Sequence, residues 1–477
     1  MPQTALSPDR ARTQTAVVAA GARYALIVLF AINLMNFFDR QIIGGVGEGI
    51  RREWALSDTA LGLLGTVFTL LYAVVGIPLG RLSDRMDRRW LLAAGVFVWS
   101  LLTAISGLAR NFAQLAMARL GVGVGEATCS PASTSLLGDF FPSSSRARAV
   151  AFWMLGLPLG LGLANGAGGW LVQNWGWRNA FYVAAIPGLL CAVAALFMRE
   201  PTRGMAEAHA VGTRRRAGSP YRLLLSTPTM WWVIASGALH NFNMYALGAF
   251  LAPFLIRVHA MSFTSAGWLA AVVYGFSGII GLVGGGALAD YLYQRRVDGR
   301  LLVGTASIVI AFPLMYLALL RPGGDIVTFA LLMGTGCGVM YAYYSTVYST
   351  IHDVVEPSLR GTAMALYFFA MYVLGASLGP IGTGLASDYF TFQAASAAGA
   401  ADPLPFSSLV LGEMRSLIGQ PKGFDIRSLE AFRRDGLHTA MYIIPSLATI
   451  LAVVLAAASH TVKKDVAKLQ AWMRERT

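Results

Sequence analysis

The chain has 477 residues, 56% of them hydrophobic and only 13% charged, and its mean hydropathy is +0.58. That composition excludes a water-soluble globule of this length, which would carry about 25% charged residues. A net charge of +13 would suit nucleic acid in a soluble protein, but here the charge sits between apolar stretches, so no nucleic-acid partner is expected.

Residues 1–23 form a polar, Arg-containing tail without the apolar core and cleavage site of a secretory signal. About 20 mostly apolar residues cross a bilayer. Twelve stretches meet that length, at 24–46, 58–80, 90–109, 112–138, 147–171, 177–198, 228–256, 264–288, 301–320, 326–352, 359–387 and 438–459. With the N-terminus inside, cytoplasmic segments would hold 24 of the 37 Lys and Arg, against 11 in the opposite loops. The positive-inside bias therefore predicts a multi-pass protein of the inner (cytoplasmic) membrane with both termini cytoplasmic.

The first span carries Asn36, Asp39 and Arg40. Asp39 and Arg40 lie six or seven residues before its expected end, roughly 10 Å deep at 1.5 Å per residue. The fourth span carries Arg119 about as far from the same side, and Glu126 two turns further on. Ionisable residues inside a bilayer are costly and point to function. Asp39 and Glu126 are read as proton carriers, and Arg40 and Arg119 as partners that switch between states. A static ion-pair network and an anionic head group held by either arginine remain alternatives.

The second span closes on Gly80, Asp84, Arg85 and Arg89. A near copy, Gly286-Ala-Leu-Ala-Asp290 followed by Arg295 and Arg296, closes the eighth. The repeat and the basic break at 199–227 divide the chain into two six-helix halves, 24–198 and 228–459. At an offset of 205, Asn36 and Asp39 align with Asn241 and Met244, so the second half lacks the ionic pair. It offers His240, Asn241, Asn243 and Tyr245 in the seventh span, and Tyr341 and Tyr344 in the tenth. With Asn36, these are the expected substrate cavity of an all-α transporter whose site lies between parallel halves, with helix packing the alternative for the tyrosines and a satisfied core histidine that for His240. Unpaired N–H groups at a helix start favour an anion. Asp84 and Asp290 are accordingly expected to cap spans eleven and five, near 357–361 and 145–148, when the inner side shuts. Gly80, Arg85, Arg89 and Arg295 complete that inner gate.

Residues 389–436 read as a long outward loop, partly helical, and residues 460–477 as an amphipathic cytoplasmic tail on the inner leaflet. Cys129, Cys191 and Cys337 share no metal-like spacing, so neither metal nor cofactor is expected. Gly375-Ala-Ser377-Leu-Gly379 matches a nucleophile elbow but lies inside a Gly-rich apolar span, so enzymatic activity is not expected. Gly121-Val-Gly123-Val-Gly125 lacks the preceding strand of a dinucleotide site.

Asn36-Phe-Phe-Asp39-Arg40 and Gly123-Val-Gly125-Glu126-Ala127, with the repeated Gly-Asp turn, resemble the Spinster type of the major facilitator superfamily. Asn36 to Arg40 also resembles anion:proton symporters of that superfamily. Asp87 departs from the glycine that the superfamily has in this turn, and Phe37 or Phe38 from its tyrosine. The resemblance implies twelve helices in two pseudo-symmetric halves and alternating access. It also implies proton coupling at Asp39 and Glu126, and lysophospholipid- or sphingosine-phosphate-like substrates. The expected partners are a small amphipathic substrate, protons and membrane lipids, with the protein acting as a monomer. Sugar-acid-like small anions are the alternative cargo, and a receptor or scaffold without transport the alternative class.

Overall fold

A computed structural model describes residues 8–83, 85–141, 143–202, 219–356, 359–417 and 420–474. All regular elements among them are helical. Eleven helices are long and apolar enough to cross a membrane: Gly21–Trp54, Asp58–Ser83, Arg88–Gly107, Arg148–Trp175, Trp177–Leu196, Pro228–Val258, Phe263–Tyr293, Gly299–Leu319, Ile326–Val354, Arg360–Ala397 and Arg427–Trp472. The expected fourth span is present as two shorter pieces, Phe112–Glu126 and Cys129–Phe140. It breaks directly after Glu126, where Ala127 N–H folds back on Gly123 O and Gly125 O and Thr128 Oγ1 donates to Gly125 O. Counting this span as fourth, the described residues hold the expected twelve, named below by number.

Two boundaries differ from expectation with consequences. The first span runs on to Trp54, so Asp39 and Arg40 lie about 21 Å from its end at 1.5 Å per residue, near mid-depth. Glu48 and Arg51, polar enough to look like a loop in sequence, stay helical because opposite charges bury them. The other boundary is the end of span twelve. Span twelve continues as one helix, Ile443–Arg474, with Val462 and Val466 buried against the second half. Asp465 accepts Thr229 N at 2.9 Å and Thr229 Oγ1 at 2.6 Å, capping span seven, and Lys463 pairs with Asp298 at 3.1 Å. Burial raises Asp298, but hydrogen bonds from Arg296 and Lys463 outweigh it and hold that carboxyl below its ordinary range.

Two ends follow from this arrangement: a turn end with the two Gly-Asp turns, and a loop end with the 389–436 segment. At the loop end the halves meet closely. Span five packs on span eight, where a Cβ at Gly162 would strike Phe276 and one at Gly166 would lie 2.6 Å from Trp268. Span two packs on span eleven, where a Cβ at Gly62 would strike the Pro380 carbonyl. Small residues give this approach without a hydrophobic driving force from lipid. At the turn end, Gly76 and Gly80 on span two and Gly361 on span eleven have open space where a Cβ would stand. The molecule is shut at the loop end and parted at the turn end. Gly62→Val is expected to overpack the shut end by about 1–3 kcal/mol, measured as a melting temperature several degrees lower in a size-exclusion thermal assay.

The loop itself is structured. It comprises the end of span eleven to Ala397, a helix at Phe406–Leu417 and a 3-10 turn at Arg427–Phe432. Phe392, Leu409, Ile426 and Leu429 form its own small core.

Candidate functional site

Arg40 occupies the centre of the molecule. Its Nη2 lies 3.6 Å from Glu126 Oε2 and donates to Asn36 Oδ1 at 3.2 Å, while Asn36 Nδ2 donates to Glu126 Oε2 at 3.1 Å. Its Nη1 donates across to the second half, to Tyr245 Oη at 3.3 Å and Tyr372 Oη at 3.1 Å. The guanidinium stacks 4.2 Å over the Tyr72 ring, with Phe37 and Phe68 also within 6 Å. One planar cation thus touches a carboxylate of the first half and two hydroxyls of the second. Tyr372 reaches it from a π-helical turn, Tyr372–Ala376, in span eleven. Such turns displace one residue from the helical register and recur at functional sites.

Asp39 and Arg119 come together differently from expectation. Arg119 Nη2 donates to the Asp39 backbone carbonyl at 2.8 Å, and its guanidinium lies 4.9 Å over Phe68. The carboxylate of Asp39 faces Arg119, Thr103 and Trp99. Arg119 Nε and Nη1 and Glu126 Oε1 make no hydrogen bond to the described residues. Asp39, Arg119 and Glu126 are all at most 1% exposed. Glu126 lies within ion-pair distance of Arg40 and not of Arg119.

In the second half the candidates divide. Tyr245 and Tyr344 are part-exposed and face the space between the halves; Tyr344 donates to Asn241 Oδ1 at 3.2 Å. His240 is fully buried, stacked on Tyr343 with ring centroids 3.9 Å apart, and neither ring nitrogen has a partner. Asn243 is likewise buried without a partner. Tyr341 lies against Gly278 and donates to Tyr274 O at 2.8 Å, so it packs span ten on span eight instead of lining a cavity. Part-exposed Tyr348 continues from Tyr344, and fully buried Tyr343 and Tyr367 back the two through successive ring contacts.

The turn residues are tied within their own halves. Asp290 pairs with Arg300 at 2.9 Å, and Arg295 stacks 4.4 Å over Tyr291. Arg89 reaches Asp87 at 3.5 Å and Met198 O at 3.2 Å, while Arg85 is exposed. Asp84 lies outside the described residues. Asp87, the departure in the turn, caps span three by accepting Arg89 N and Trp90 N. Arg88 is buried and joins Ser135, Asp139 and Glu200.

A second ionic group, missed in the sequence, closes the loop end. Arg257 of span seven pairs with Glu48 at 2.7 Å and Asp58 at 2.8 Å, both across the halves. Arg51 reaches Glu430 on the loop at 2.6 Å, and Arg433 lies 3.8 Å from Asp58. Lys422 of the same loop donates to Ser57 Oγ at 3.2 Å. The signal available was the run of charges at 48–58, which has no counterpart in the expected loop chemistry of the second half.

Residues 29–380 match the model of the Major Facilitator Superfamily. The human "Protein spinster homolog 1" is 28% identical over 417 residues, 80% of this chain and 76% of that protein. The "Probable L-galactonate transporter" of Escherichia coli is 27% identical over 380 residues, 76% of this chain and 83% of that one. Among solved structures, a bacterial homolog to the human lysosomal transporter Spinster, inward-facing and unoccupied, superposes with a TM-score of 0.76 at 29% identity. The superposition covers 93% of this chain and 98% of that one.

Proposed function

Because the chain belongs to the Major Facilitator Superfamily and resembles its Spinster-type members, we propose that this membrane transporter is proton-coupled and moves amphipathic anionic, lipid-like molecules by alternating access. The observation that carries the reading is Arg40, which contacts Glu126 in one half and Tyr245 and Tyr372 in the other. Neutralising Glu126 frees the guanidinium, so proton binding and the contact between halves share one residue. Asp39 sits one position away with its buried carboxylate facing Arg119, and it supplies a second proton site there. An anionic head group suits the freed arginines, and the Tyr-rich wall suits an apolar chain.

The positive charge at the turn end supports both termini facing the cytoplasm, with the described state open inward. The protein then works as a monomer in the inner membrane. Asp84 and Asp290 serve as caps when that side shuts.

A second reading, a proton symporter of small organic anions, is favoured by the two unpartnered donors of Arg119 and by the likeness to the E. coli galactonate transporter. Proteoliposomes with an imposed pH gradient separate the two. A fluorescent lysophospholipid should accumulate, and Glu126→Gln and Asp39→Asn should each abolish its dependence on the gradient. Unchanged dependence in both variants dismisses proton coupling. Accumulation of sugar acids without any lysophospholipid signal dismisses the lipid cargo.

A further inference from the structure

Spans two and eleven lie side by side and antiparallel. Asp58 meets Asp388, Thr66 Oγ1 donates to Ser377 O at 2.5 Å, and the Tyr72 and Tyr372 rings are 5.3 Å apart. Each span carries a Ser-Asp pair in its sequence: Ser83-Asp84 at the close of span two, and Ser387-Asp388 within span eleven at the loop end. Ser387-Asp388 therefore stands by the N-terminus of span two.

The loop-end pair is engaged. Asp388 Oδ1 accepts Asp58 N at 3.0 Å, and its Oδ2 accepts Thr59 N at 2.8 Å and Thr59 Oγ1 at 2.6 Å. Ser387 Oγ donates to Asp58 Oδ2 at 2.6 Å. Asp58, Thr59, Ser387 and Asp388 are at most 3% exposed. The first N–H groups of a helix have no partner within it, and an anionic acceptor there also meets the helix dipole. Here the cap comes from the opposite half of the molecule. It also places two carboxylates side by side, an arrangement that the neighbouring Arg257 and Arg433 offset.

We propose that Asp388 is a conformational latch: by capping span two across the halves it holds the loop end shut, and its release shifts the molecule toward the loop-end-open state. Water takes over the N–H groups of Asp58 and Thr59 once that end parts, so the released state leaves no buried donor unpaired. The turn end is parted while this cap is made. The latch rests on the alternating-access part of the proposed function but needs neither substrate nor proton gradient for its test. Its failure is thus distinct from failure of the cargo or coupling reading.

The test uses full-length protein in nanodiscs, with Cys129, Cys191 and Cys337 replaced by Ala and one reporter cysteine added. Thr383→Cys reports the loop end, one turn below Ser387 and fully buried. Gly361→Cys reports the turn end, where it is exposed. Asp388→Asn is expected to raise the maleimide labelling rate at position 383 at least fivefold and to lower it at position 361. Thr59→Val, which removes one donor to Asp388 and leaves every charge in place, should move both rates the same way by about twofold. Labelling unchanged at both reporters in both variants overturns the latch. A rise at both reporters overturns it too, because it marks general loosening and no exchange between two states.

Discussion

Arg40→Ala is expected to abolish transport, lowering uptake at least a hundredfold while the protein still reaches the membrane. The guanidinium is the group through which Glu126, Asn36, Tyr245 and Tyr372 meet. Truncating it leaves Glu126 buried with Asn36 as its partner and strips both tyrosine hydroxyls of their donor. Removing one member of a buried pair costs about 3–5 kcal/mol, because the remaining charge stays uncompensated. A cost of that size on one conformational state is a factor of a hundred or more in its population. Arg40→Lys should recover only a fraction, since a single ammonium cannot serve Glu126 and both tyrosines from one plane. The measurement is initial uptake in proteoliposomes, normalised to inserted protein. More than a tenth of the parent rate in Arg40→Ala would remove Arg40 from the transport cycle.

Arg257→Ala is expected to produce the largest loss of stability, about 3–5 kcal/mol. Arg257 bonds Glu48 and Asp58, whose side chains are 1% and 0% exposed. Without it, two carboxylates remain buried at the contact between halves. Arg51 and Arg52 still hold Glu48, and Ser387 and Arg433 still reach Asp58, so the charges are not wholly abandoned. The melting temperature in detergent should fall by several degrees. Adding Glu48→Gln or Asp58→Asn should restore part of the loss, because neighbours sharing a partner are not additive. Strictly additive effects in the double variants would show that Arg257 does not compensate these two carboxylates.

Much of this was legible in the sequence where the bilayer does the selecting. Twelve apolar stretches must be helices, because lipid leaves no other partner for the backbone. A charge that survives inside such a stretch announces itself, which is why Asp39, Arg40, Arg119 and Glu126 stood out. Their pairing did not. Which carboxylate meets which arginine depends on helix length and rotation, and the first span proved longer than its apolar stretch because Glu48 and Arg51 are neutralised by residues far along the chain. The same cause hid the loop-end cluster, since its charges read as ordinary solvated loop residues until the halves are brought together. Tyr341 and Tyr344, three positions apart on one helix, looked alike in sequence; a small helix rotation sends one against Gly278 and the other toward Asn241. The tail read as amphipathic and membrane-facing, as such spacing cannot say whether the apolar face meets lipid or Val462 and Val466 pack on protein.

The sequence by itself determined the class of molecule, the duplication and the set of ionisable residues placed at mid-membrane, because each follows from the cost of exposing polar groups to lipid. Only the tertiary structure decided that Arg40 bridges the halves, that Asp39 and Arg119 meet through a backbone carbonyl, and that Asp388 caps span two. Those are contacts between residues 80 to 332 positions apart, and their geometry is set by packing of helices that no local pattern records.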